Sequence, residues 1–258
     1  MSVFYLTPNY LANESHLDRA KIQEYFKAVY DYDLASEDVP AYKTLLQNSG
    51  LLTVEGFASA VGLIMFGRRD SGLLPPVNYT QKFLPHAGAV YAHYAGNELT
   101  DELLDRVHFE GAAPELVEKI TEKVLLRLAR PSTINGLKRE EKIVLPRKVL
   151  CEALVNAVTH RDYSLQGQIR VFQFDDRLEV HSPGGLPNSV TVAKMKVSYS
   201  IPRNPLIVKF MENLRYLDGL GCGVPMMFRE MKALGAKPPE IFADESQVRL
   251  TLYFAPTI

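Results

Sequence analysis

The stretch that most constrains the fold of this chain is residues 146–163, Pro146-Arg-Lys-Val-Leu-Cys-Glu-Ala-Leu-Val-Asn-Ala-Val-Thr-His-Arg-Asp-Tyr163. Val149, Leu150, Ala153, Leu154, Ala157 and Val158 recur at helical spacing and form one apolar stripe. Pro146 suits the first helical position, where its missing N–H costs nothing. Glu152 and Asn156 are four residues apart, so they share a face at the rim of that stripe. A carboxylate at a rim can take a proton from water, and an amide oxygen beside it can hold Mg²⁺. The same pair also occurs on ordinary helices, so its spacing alone does not decide between the two readings.

The residues C-terminal to this helix carry more. Two strands are predicted over 168–174 and 177–181, joined by Asp175 and Asp176. The second runs into Ser182-Pro183-Gly184-Gly185, which is either a bare turn or part of a site. Further on, Gly219, Gly221 and Gly223 open a helix predicted over 224–234. A glycine loop feeding a helix start presents free N–H groups and a positive dipole end, which suits phosphate. The same glycines also suit a flexible connector.

In that order, the Glu152-x-x-x-Asn156 helix, the strand ending in Ser182-Pro183-Gly184-Gly185 and the glycine-rich helix start resemble the N, G1 and G2 boxes of the GHKL (Bergerat-fold) ATPases. Residues 152–164, residues 175–187 and Arg203-Asn204-Pro205 are similar, more narrowly, to helicase-related transcriptional regulators. In those proteins a Schlafen-like AlbA domain usually precedes a GHKL-like domain. The likeness covers residues 45–258, and no AlbA-like segment stands before it, so a shortened member or a piece of a longer one is expected.

The resemblance implies an α+β fold: a two-layer α/β sandwich over residues 85–258, its mixed sheet carrying helices on one face. A small, mainly helical unit over residues 1–84, compatible with a winged helix, would precede it. It also implies ATP and Mg²⁺ as cofactors. Glu152 would be the catalytic base and Asn156 the Mg²⁺ ligand. Ser182, Gly184, Gly185, Arg203, Gly219, Gly221 and Gly223 would join Asn156 around the nucleotide. Ser182 stands where these ATPases usually carry an Asp that reads adenine, which predicts weak discrimination between ATP and GTP. His160 is a secondary catalytic candidate, while Arg161 and Asp162 are expected to pin the helix end to the next strand. The function implied is an ATP-binding, weakly hydrolysing module of a transcriptional regulator. One alternative is a scaffold that has lost nucleotide chemistry and serves a homodimer or another partner; a second is DNA binding through the N-terminal unit. The chain has no Gly-x-x-x-x-Gly-Lys-Ser/Thr loop, so a P-loop helicase is not supported.

Composition narrows the partners. Lys and Arg number 29 against 30 Asp and Glu, for a net charge of −1. A dedicated nucleic-acid binder usually shows a basic surplus, so DNA is expected to bind weakly or through a missing domain. Cys151 and Cys222 fall in separate elements with no paired framework, which points to a reducing cytoplasm. No apolar run is long enough for a membrane span, and none is placed as a signal peptide.

Elsewhere, helices are predicted over 13–32, 42–47, 114–130 and 206–217, the last with Asn204 as its cap. An apolar element is expected over 53–66, followed by Arg68 and Arg69. Strands are predicted over 87–94, 240–243 and 247–254, with a strand or hairpin within 132–144. Residues 186–200 would form the lid over the nucleotide.

Overall fold

A computed structural model describes residues 4–34, 37–128, 133–135, 138–140, 144–187, 189–199, 201–217 and 221–255. The N-terminal third runs β1 (Pro8–Asn13), α1 (Arg19–Tyr30), α2 (Val39–Asn48), β2 (Phe57–Ser59), α3 (Ala60–Phe66), β3 (Arg69–Asp70), β4 (Val77–Asn78) and α4 (Tyr79–Phe83). Next come β5 (Ala89–Ala95), β6 (Glu102–Phe109), α5 (Ala113–Leu128), β7 (Thr133–Asn135), β8 (Lys138–Glu140) and α6 (Arg147–His160). The chain then forms β9 (Ile169–Gln173), β10 (Arg177–Pro183), α7 (Val192–Met195), α8 (Pro205–Asn213), α9 (Gly223–Ala233), β11 (Glu240–Ala243) and β12 (Gln247–Tyr253).

Six strands form one mixed sheet in the order β11-β12-β10-β9-β5-β6. Only β5 and β9 run parallel; the other neighbours are antiparallel. Strand side chains alternate between faces. Tyr91, Val171, Val180 and Leu250 lie on one face and are buried against α5, α6 and α9. This is the α+β sandwich expected, with its helices layered on one side.

The apolar core continues into the N-terminal third. All seven residues of α3 are buried, as an all-apolar helix requires. Tyr25 of α1, Phe66 of α3 and Phe210 of α8 meet as an aromatic trio with centroids 5.1 to 5.6 Å apart. Arg68 is engaged locally: it pairs with Asp70 at 3.3 Å and lies over the Tyr79 ring.

Several elements depart from the sequence pattern. Pro146 sits at the N-cap of α6, one residue earlier than expected, and the helix stops at His160 because Arg161 is extended. The helix predicted over 13–32 starts only at Arg19, with Asp18 as its N-cap accepting from the Lys21 amide. The apolar element over 53–66 divides into β2 and α3, with Ser59 capping the helix. The strand β6 has no counterpart among the predicted elements. The hairpin expected within 132–144 is present as β7 and β8.

Candidate nucleotide site

The centre of the site is a cavity of about 610 Å³ between α6, the turn after β10 and the start of α9. Helix α6 lines it with Glu152, Asn156 and His160. The glycine turn contributes Ser182, Gly184 and Gly185, and the segment before α9 contributes Gly221, Cys222 and Gly223. Met195 and Tyr199, from the stretch expected to act as a lid, close another side. Of the residues singled out in the sequence, Gly219 lies outside the described residues, and Arg203 does not line the cavity.

Glu152 and Asn156 are half-buried neighbours, as their spacing requires. The Asn156 Nδ2 donates to Glu152 Oε1 at 2.8 Å, so the amide fixes the carboxylate. That carboxylate reaches the N-terminus of α9 and fills the space that a β-carbon on residue 223 would need. The carboxylate can hold this position only while residue 223 is glycine. A positive helix end holding a carboxylate is a ready anion position.

The C-terminus of α6 explains the rest of the sequence signature. The last carbonyls of a helix have no partner within it. Here three side chains from three segments supply the missing donors. Ser182 Oγ donates to the Ala157 carbonyl at 2.8 Å. The Tyr163 hydroxyl donates to the Val158 carbonyl at 3.0 Å. Asn204 Nδ2 donates to the Thr159 and Arg161 carbonyls at 2.9 and 2.8 Å. The expected cap of α8 by Asn204 is thus corrected: the residue stands at the N-cap position, but its side chain closes α6. Asn204 is 3% exposed, and an amide buried that deeply must find acceptors wherever the fold provides them.

Arg161 and Asp162 do pin this corner, but to other elements than the next strand alone. Arg161 is 1% exposed and donates to the carbonyls of His86, Leu165 and Gly167, tying the loop before β9 to the α4–β5 connection. Asp162 accepts from the Ser164 amide and hydroxyl, and its own amide donates to the Pro183 carbonyl. Arg203 closes the corner by pairing with Asp162 at 2.7 Å and donating to the Gly185 carbonyl. Through these two contacts Arg203 holds the glycine turn from outside the cavity. Gly184 adopts φ +96° and packs its α-carbon on Asp162, where any side chain would collide. Burial lowers the His160 pKa to about 4, and the nearby Arg203 charge adds to the effect. His160 is therefore a neutral wall residue at ordinary pH.

Among the described residues no cluster of three His, Cys, Asp or Glu could hold a metal by itself. Mg²⁺ makes no such demand: it keeps waters and takes one or two protein oxygens together with substrate phosphates. Asn156 and Glu152 fit that donor set. The cavity volume lies within the range typical of small-molecule sites.

Residues 166–252 match the sequence family described as "Putative ATP-dependent DNA helicase recG C-terminal". The C-terminal part of the chain is thus HATPase-like. The matched segment contains the glycine turn, Arg203 and the start of α9, but not Glu152 or Asn156. No curated protein matches the chain. Among solved structures, the crystal structure of the DIP2311 protein from Corynebacterium diphtheriae is similar, with a TM-score of 0.67 and 24% identity. The match covers 98% of this chain and 48% of that one, so the chain spans about half the length of its structural relative. At that identity the likeness establishes the fold. Among the described residues no helix is long and apolar enough to cross a membrane.

The sequence pattern assigns Glu152, Asn156, Ser182, Gly184, Gly185, Gly221 and Gly223 to one site, and the cavity gathers all seven. The capping roles of Ser182, Tyr163 and Asn204 are absent from that pattern. In the sequence Ser182 and Asn204 each stand before a proline and read as local turn or cap residues, and Tyr163 carries no capping signal.

Proposed function

We propose that the cavity binds a nucleoside triphosphate as its Mg²⁺ complex and hydrolyses it slowly. What carries the reading is the meeting of Glu152, Asn156, the glycine turn and the α9 start around one enclosed space. Asn156 would hold the metal, whose charge offsets that of the phosphates. The Gly221–Gly223 amides and the α9 dipole would receive the phosphates. Glu152 would orient and deprotonate the attacking water.

The base would sit toward Ser182. Its hydroxyl proton is committed to the Ala157 carbonyl, so only lone pairs remain for a ligand. Such a group accepts from the amino group of adenine and opposes the carbonyl oxygen of guanine. The fixed hydroxyl thus changes the expectation of poor discrimination into a preference for ATP. The whole would serve as the nucleotide-responsive part, over residues 85–258, of a cytoplasmic transcriptional regulator, with residues 1–84 as an attached unit.

One observation favours the second reading, a scaffold without nucleotide chemistry. The Glu152 carboxylate already lies on the α9 start, where a phosphate would bind. Calorimetric titration with Mg²⁺–ATP separates the two. Saturable binding that is lost in Asn156→Ala supports the nucleotide site. Absence of binding at millimolar ATP leaves the scaffold.

A further inference from the structure

The sheet face opposite α5, α6 and α9 carries a pattern that the cavity does not use. One register row crosses all six strands in the order His108, Val90, Arg170, His181, Arg249, Phe242. At about 4.8 Å between strands, the five gaps span roughly 24 Å. The next row holds Arg106 and Phe172 on neighbouring positions around Ala92.

Cations and rings interleave on this face. Arg170 is exposed and lies over the Phe172 ring at 5.9 Å, and Phe172 in turn meets the His181 ring at 5.1 Å. The Arg249 guanidinium lies over Phe242 at 5.1 Å, and Phe242 is 46% exposed. Tyr94 extends the aromatic patch beside Phe172. Two carboxylates share this face: Glu179 at its centre is neutralised by Arg177 and His181 at 2.8 and 2.9 Å, and Glu240 stands exposed on the edge strand β11. Arg106, Arg170 and Arg249 pair with no carboxylate among the described residues, and the buried Nε of Arg249 has no hydrogen-bond partner there. The near-zero net charge of the chain therefore conceals a locally cationic face.

We propose that this open face binds single-stranded nucleic acid, with bases stacked on Phe172 and Phe242 and the backbone held by Arg106, Arg170 and Arg249. Flat rings framed by guanidiniums that no carboxylate neutralises, Arg170 donating only to the neutral Gln247 amide at 3.0 Å, are what a single strand requires, because its bases expose faces that a duplex keeps stacked. Arginine also binds phosphate with two parallel hydrogen bonds and stacks on rings, which an ammonium does less well. An acidic peptide would satisfy the arginines but leave the rings without a partner. The inference is independent of the nucleotide cavity, which lies on the other side of the sheet.

The test is fluorescence anisotropy of a labelled oligothymidine with the whole chain, across a salt series, beside the same strand in duplex form. Single-strand binding that weakens steeply with salt is expected, with the duplex bound at least about tenfold more weakly. Arg170→Ala with Arg249→Ala should weaken it about tenfold or more and flatten the salt slope, whereas Lys209→Ala on α8 should not. Phe172→Leu, which keeps an apolar filler, should cost about fivefold or more through lost stacking. Circular dichroism confirms that each variant is folded, and Arg106→Ala, at the exposed edge, gives a reading that repacking cannot affect. Equal affinity for duplex, competition by polyglutamate as effective as by unlabelled strand, or wild-type affinity in the arginine variants would overturn the proposal.

Discussion

The carboxylate of Glu152 occupies the volume that a side chain on Gly223 would fill, so the base of α6 and the start of α9 fit together only because residue 223 has no β-carbon. Gly223→Ala should therefore swing the carboxylate aside. The atom displaced is the end of a flexible chain, so melting temperature should change little. A misplaced base costs on the order of 100-fold in turnover, and a steady-state ATPase assay on the variant measures it.

Glu152→Gln removes the base while keeping a group that can still hydrogen-bond Asn156. ATP turnover should fall by about 100-fold or more, with the calorimetric affinity for Mg²⁺–ATP retained. A variant that turns over like the wild type would remove Glu152 from the chemistry.

Asn204→Ala should behave in the opposite way. It leaves two buried carbonyls at the end of α6 without donors, at a cost of about 2–4 kcal/mol taken together. The denaturant midpoint should fall clearly. Any loss of ATP binding should track the unfolded fraction, as a circular dichroism titration run beside calorimetry would show.

Ser182 combines both kinds of role. Ser182→Ala should destabilise the fold by about 1 kcal/mol or more through the Ala157 carbonyl and narrow the ATP-to-GTP affinity ratio several-fold. Ser182→Asp should not rescue the ratio, because a carboxylate would face the same carbonyl oxygen with nothing to donate. Competition binding with the two nucleotides decides this.

His160 gives a pH signature. Its folded pKa, about 4, lies below its unfolded value near 6.5. The unfolded chain thus binds the proton more readily, and the His160 contribution to stability is complete above pH 6.5. It is lost as pH falls from there toward 4. His160→Asn should flatten the dependence of the unfolding free energy on pH in that window, measured by urea titration at several pH values.

The parts of the fold visible in the sequence are those set by local periodicity. Val149 through Val158 specify α6, and Leu116, Ile120 and Val124 specify α5, because each stripe faces one continuous core. The strand β6 leaves a fainter trace because it lies at the sheet edge: Glu102, Leu103 and Leu104 are all exposed, and the alternation begins only beyond them, with a charged Asp105 among its inward positions. Glu152 and Asn156 are legible as a pair because four residues make one helical step. Asn204 reads as a local cap because its true acceptors lie 43 and 45 residues away, and no local pattern encodes such a partner. The cationic sheet face is hidden for a related reason: its arginines come from separate strands and become neighbours only through register.

The three-way closure at the end of α6 bears on how a family with this signature should be read. A descendant that had given up ATP altogether would still need Ser182, Tyr163 and Asn204, since without them the terminal carbonyls of its central helix would be stranded. Arg161, Asp162 and Arg203 would persist for the same reason, holding the loops at that corner. The most recognisable letters of the motif therefore certify an architecture. On the proposed mechanism, nucleotide chemistry would instead be recorded in a much smaller set, Glu152, Asn156 and Gly223, which the fold could replace at little cost to itself.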